Sequence, residues 1–213
     1  VRDRSVNAFA LPGGFVGVHL GLVAMTGTRD ELASVLAHEL SHVTQRHIAR
    51  GIASQSRQSL LGMAAMILAI LAASRSSNPD MAQAAIVGAQ AAMIQGQLNF
   101  SRDMEREADR IGFAVLNAAG YAPGGMVGMF EKLDGSSRLN DSGSYPYLRS
   151  HPLTFERQSE ARLRLQGLPG QPAPGASTSS PWLHALMVAR SRVLMDATAV
   201  SLRRLQDTPA LRS

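Results

Sequence analysis

The chain has 213 residues, a net charge of +5, 45% apolar residues and no cysteine. That is enough for one substantial domain with an appendage and a real core, so global disorder is excluded. A Cys-ligated zinc site and a disulfide scaffold are excluded as well, and scattered arginines with only 5% aromatics leave no base-stacking surface for nucleic acid.

Residues 5–26 read as extended: Asn7 to Leu11, a turn at Pro12-Gly13-Gly14, then Phe15 to Leu20. This predicts a β-hairpin leading into a helix. Such a strand edge can hold an extended polypeptide backbone, although a hairpin can equally be structural. Thr28 and Glu31 form a capping box. Apolar residues then recur at Leu32, Val35, Leu36, Leu40 and Val43, the period of a buried helical face. Gly51 is the predicted stop, after Arg46 and Arg50.

Two apolar stretches follow, 60–73 and 81–96, the second after the start signal Asn78-Pro79-Asp80. A fourteen-residue helix rises only about 21 Å, against a hydrocarbon core of roughly 30 Å. The pair is therefore predicted as an apolar helical hairpin insertion over 60–97, with a membrane-surface or gating role open to it. Further helices are predicted from Ser101 to Gly120, from Gly124 to Leu133 and from Pro152 to about Gln166, with 134–150 as loop. Residues 167–181 read as a Gly/Pro/Ser/Ala linker. A last helix, Trp182 to Gln206, opens a separate C-terminal element at 182–213.

The chemistry is concentrated in His38-Glu39-Leu40-Ser41-His42, an H-E-x-x-H pattern on the predicted helix. Two histidines four apart lie about 40° apart around the axis, so both rings reach one ion, and the glutamate between them faces a metal-held water. A catalytic zinc needs a third ligand and an open position. Position 45 is Gln45 and position 48 is Ile48, so the solution with a following glycine and histidine is absent. His47 lies about 140° round the helix from His42 and faces away. A glutamate from a second helix is the other solution. Glu105 and Asp109 share a face, so Glu105 is the candidate ligand and Asp109 the acceptor for a ligand histidine's second nitrogen. Glu107 points elsewhere, to solvent or an arginine. His19 and His184 carry no metal spacing.

The pair H-E-L-S-H and E-R-E-A-D-R-I-G resembles the zinc metallopeptidase family of HtpX and the CAAX prenyl proteases. The resemblance extends to Asn7-Ala-Phe-Ala and to Ser150-His151-Pro152-Leu153 with Arg157, and covers residues 1–166. The longer segment H-E-L-S-H-V-T-Q-R-H is most similar to the soluble periplasmic group of β-barrel assembly-enhancing proteases, which carry helical repeats after the protease domain. Trp182 lacks the usual Leu-Gly spacing of such a repeat, so 182–213 would be a truncated start.

The resemblance implies a mainly α fold with a small β-hairpin (α+β), of the gluzincin type. It implies one Zn2+ held by His38, His42 and Glu105, with Glu39 as general base and Asp109 behind a ligand. It implies a periplasmic zinc endopeptidase acting on extended or misfolded polypeptides, unassembled outer-membrane proteins among them, in envelope quality control. The chain starts at Val1, as in a processed or trimmed protein, so the compartment rests on that resemblance. His151 is either an oxyanion donor or a residue that closes the metal's open position; the latter gives an alternative function, a latent or chaperone-like scaffold. Arg157 is either an oxyanion or substrate contact, or a brace for the loop.

Overall fold

The computed structural model describes residues 1–75, 79–139, 145–168 and 181–206. These divide into two compact units: residues 1–43 with 108–213, and residues 44–107.

The first unit opens with the predicted hairpin. Strand β1 (Ala8–Leu11) pairs antiparallel with β2 (Phe15–Val18), Ala8 opposite Val18 and Leu11 opposite Phe15. Gly13 and Gly14 turn the chain at φ 92° and 85°, a region open to glycine at no steric cost. The chain does not stay extended to residue 26. Leu20–Met25 form a short helix, α1. Residues 1–5 wrap its start, with Leu20 and Gly21 donating to the carbonyls of Val1 and Asp3. A Cβ at Gly21 would land on the Arg4 carbonyl, so that close approach requires glycine.

Helix α2 (Arg29–Thr44) carries H-E-x-x-H. One half of its capping box forms as expected: the Glu31 amide donates to Thr28 Oγ1 at 3.2 Å. The Glu31 carboxylate accepts from the Gly27 amide and from Lys132 Nζ, both at 2.6 Å. Val35 faces a core cluster of Val6, Ala8, Leu22, Met129, Leu133 and Tyr147. Ala37 faces a second, with Phe113, Leu116, Met126, Phe130 and Ala161. The motif helix is thus fixed between two apolar clusters.

Gly51 is not the stop. The turn is at Arg46, whose φ is +55°, and a new helix, α3 (His47–Arg75), runs straight through Gly51. Arg50 Nη1 lies 3.5 Å from the Gln45 carbonyl at this break. The second apolar stretch and the helix expected from Ser101 are one continuous helix, α4 (Pro79–Ala118), since no breaker separates them. Gly120, at φ 77°, ends it just past the last turn.

Helix α5 (Gly124–Leu139) outruns its predicted end. Its start lies so close to α2 that a Cβ at Gly125 would strike the Asp30 backbone. Part of the expected 134–150 loop is also helical, as α6 (Pro146–Ser150). Residues 140–144 lie outside the described residues. Helix α7 (Phe155–Gln166) begins three residues after Pro152, where Thr154 Oγ1 caps the Arg157 amide.

Of the expected linker 167–181, residues 169–180 lie outside the described residues, Gly167 caps α7 and Pro181 opens the next helix. The tail beyond it is two helices, α8 (Pro181–Met195) and α9 (Ala199–Gln206). Asp196 breaks it, accepting from the Thr198 amide and from Ser201 Oγ. The tail belongs to the first unit, with α8 packed on α1. Buried His184 Nε2 lies 3.1 Å from the Thr26 carbonyl, and Arg4 bonds both the Met195 carbonyl and Asp196.

Candidate active site

Helix α2 buries His38, Glu39 and His42 on one side, at 2%, 0% and 9% exposure. Their spacing does what the helical period requires: His38 Nε2 and His42 Nε2 meet at 3.0 Å. A third imidazole joins them from far along the chain. His151 Nδ1 lies 3.3 Å from His38 Nε2, and His151 Nε2 lies 3.5 Å from Glu39 Oε1. His151 therefore reaches both a motif histidine and the motif glutamate.

Short helix α6 puts it there. The Tyr147 amide donates to the Val6 carbonyl, and the His151 amide donates to the Tyr147 carbonyl at 2.8 Å. The Tyr147 ring is buried in the first core cluster and lies 4.7 Å from the His151 ring, centroid to centroid. Tyr147 is a site neighbour that the sequence reading passed over within a presumed loop. Its i, i+4 spacing to His151, directly after Pro146, was the available signal.

Asp109 stands behind His38. Its Oδ1 lies 3.0 Å from His38 Nδ1. Burial pushes the Asp109 carboxyl up, but hydrogen bonds from Arg157 and His38 outweigh that and hold it below the usual carboxylate range. A carboxylate only accepts, so the His38 proton sits on Nδ1 and a lone pair is left on Nε2, facing His42 and His151.

Arg157 is buried beside Asp109. Its Nε and Nη2 grip Asp109 at 2.6 and 2.8 Å, and its Nη1 donates to the Pro152 carbonyl at 2.8 Å. It also stacks over Phe130 at 5.3 Å. One buried guanidinium thus ties the carboxylate behind His38 to the loop that carries His151.

Glu105 is buried on α4, one helical turn before Asp109. Glu107 takes a different role. It bonds Arg50 at 2.7 Å and lies 3.2 Å from His47 Nε2, and the Arg50 bond holds its carboxyl below the usual range. His47 is thus engaged within the second unit. His19 contacts Ser5 and Asp3.

The arrangement fits a divalent cation. His38, His42 and His151 each present a ring nitrogen within 4.8 Å of the others. A single proton cannot satisfy several converging lone pairs as one ion can.

A model of peptidase family M48 matches residues 1–165. The chain belongs to this family. It is 42% identical over 169 residues to a putative β-barrel assembly-enhancing protease of Vibrio cholerae, covering 79% of this chain and 34% of that protein. It is 40% identical over 164 residues to the β-barrel assembly-enhancing protease of Escherichia coli K12, covering 77% and 33%. It is 30% identical over 162 residues to the metalloprotease LoiP of the same organism, covering 76% and 60%. The chain thus spans about a third of the length of the first two relatives. The mainly helical fold with one small hairpin agrees with this membership.

Proposed function

We propose that the chain is a zinc-dependent endopeptidase of the periplasm that hydrolyses extended or misfolded polypeptides, including unassembled outer-membrane proteins. The observation that carries the reading is the convergence of His38 and His42, with Asp109 fixing the far nitrogen of His38. The substrate and the compartment rest on the similarity to the β-barrel assembly-enhancing proteases.

In this reading His38, His42 and Glu105 hold the ion. Glu105 is supported by its burial and by its place one turn before Asp109 on α4. An N, N, O donor set suits zinc and also other divalent ions. A divalent ion in this position makes water more acidic and polarises a carbonyl oxygen. Glu39 does the proton work: its carboxylate takes the proton of the attacking water and delivers it to the leaving amine nitrogen. Asp109 keeps His38 in the tautomer that leaves Nε2 as donor, and Arg157 keeps Asp109 ionised and aimed.

The test is metal analysis joined to cleavage of an unfolded protein. The expected result is one zinc per chain, loss of cleavage on chelation and recovery with zinc. Full cleavage by fully metal-free protein would refute the reading.

A second reading concerns the same site. His151 lies against both His38 and Glu39, which suits a ring that closes the site and holds the protein latent or scaffold-like. Here His151→Ala raises the cleavage rate. If His151 instead donates to the oxyanion, the same substitution lowers it.

A further inference from the structure

The second unit contains a surface that the peptidase site does not use. Between Arg57 and Arg75, α3 carries no charged residue over seventeen positions. Between Asp80 and Arg102, α4 carries none over twenty-one. The two arms touch at Gly62 and Met93, where a Cβ at Gly62 would meet the Met93 side chain. Among the described residues of α3 beyond Arg57, Gly62 is buried at this seam and Met66 is half-buried beside it.

The other side of α3 faces outward. At about 100° per residue, Leu60, Leu61, Met63, Ile67, Leu68 and Leu71 fall within an arc of roughly 160° opposite Gly62. All six are more than half exposed, as are Val87 and Ile94 on α4. Six large aliphatic side chains on one helix face form a contiguous patch of a kind that monomeric proteins rarely leave to water.

The charge around the patch identifies what covers it. Residues 44–107 contain six arginines and four acidic residues, and two of the acids, Glu107 and Asp103, are paired with Arg50 and Arg106. Arg57 and Arg102 end the uncharged runs on the two arms and have no ion-pair partner among the described residues. An apolar face with cations at its margin complements an anionic lipid surface: the aliphatics enter the acyl boundary while guanidinium groups stay among headgroup phosphates. A second copy would bring like charges together. An extended polypeptide needs a groove or strand edge, and this face is the convex side of a helix. No helix among the described residues is long and apolar enough to cross a membrane, so the contact is superficial.

We propose that the outer face of α3, with Arg57 and Arg102, docks this protein onto an anionic lipid surface. The experiment is sedimentation of the 213-residue protein with vesicles of equimolar phosphatidylglycerol and phosphatidylcholine, and with vesicles of phosphatidylcholine alone. Binding to the anionic vesicles is expected, weakened by salt. An I67E/L71E variant should bind at least about tenfold more weakly. An R57E/R102E variant should lose the preference for anionic vesicles by a similar factor. Both variants change exposed side chains, so their thermal unfolding should match the parent's, and unfolding that does match rules out misfolding as the cause. Three results would overturn the proposal: no binding by the parent, parental binding by I67E/L71E, or concentration-dependent self-association of the parent that I67E/L71E abolishes, which would assign the face to a second copy. Loss of unfolded-protein cleavage in I67E/L71E with vesicle binding intact would assign it to polypeptide and overturn it equally.

Discussion

Arg157→Met isolates the brace behind the metal motif. The substitution removes two short bonds to Asp109 and one to the Pro152 carbonyl, all with Arg157 at 4% exposure. Asp109, itself 7% exposed, is left with His38 alone. Breaking a buried ion pair from one side costs about 3–5 kcal/mol, much of a typical total of about 5–15 kcal/mol. The cost should be read by urea unfolding in chelator, so that metal binding does not mask it. A second variant, D109L/R157M, removes both charges and should recover most of that loss. Its metal affinity should nonetheless fall about 10–100-fold, because His38 loses the acceptor that fixes its tautomer. The sign with pH follows from the depressed Asp109 carboxyl. The pair's contribution is fully present above the unfolded value of about 3.9 and is lost as pH falls through the lower folded value. A cost below about 1 kcal/mol for R157M, or parental metal affinity in D109L/R157M, would refute this reasoning.

Other substitutions test the packing that positions the site. Thr28→Ala removes the acceptor for the Glu31 amide and should cost about 1 kcal/mol in urea unfolding, with the metal site unchanged. Gly125→Ala drives a Cβ into the Asp30 backbone and should abolish or severely weaken folding, as seen by circular dichroism. Gly112→Ala meets the His38 amide nitrogen at 3.1 Å, a tighter contact than is usual but a milder one, so it should cost less and mainly lower metal affinity. His184→Ala deletes a buried contact to Thr26 and should raise amide exchange in α8 without altering metal content.

The metal motif was legible because its chemistry is local. His38, Glu39 and His42 lie within two turns of one helix whose start is visible in sequence; the expected apolar face holds only in part, since Leu32 and Val35 are buried while Leu36 and Leu40 are exposed. The partnership of His38 with Asp109 joins residues 71 apart, and only the E-x-x-x-D spacing hinted at it. Arg157 was legible as a candidate but not in its role, because which carboxylate a guanidinium meets is decided by the packing of α7 and α4. The helix ends failed where a weak local signal was overridden. Gly51 looked like a stop, but an arginine took the left-handed turn at 46 instead. Residues 134–150 looked like loop because Gly135, Ser136 and Ser137 are poor helix formers, yet α5 runs on past them to Leu139. The attachment of the tail depends on His184 and Arg4 meeting partners far away in sequence, which no local pattern records.

The most direct measurement is the cleavage rate of a Glu39→Gln protein whose metal content has been measured in the same preparation. Glutamine keeps the shape of the buried side chain and cannot accept the water's proton. The account predicts parental metal content and a rate lower by at least about a hundredfold. Parental metal content with a parental rate would contradict it.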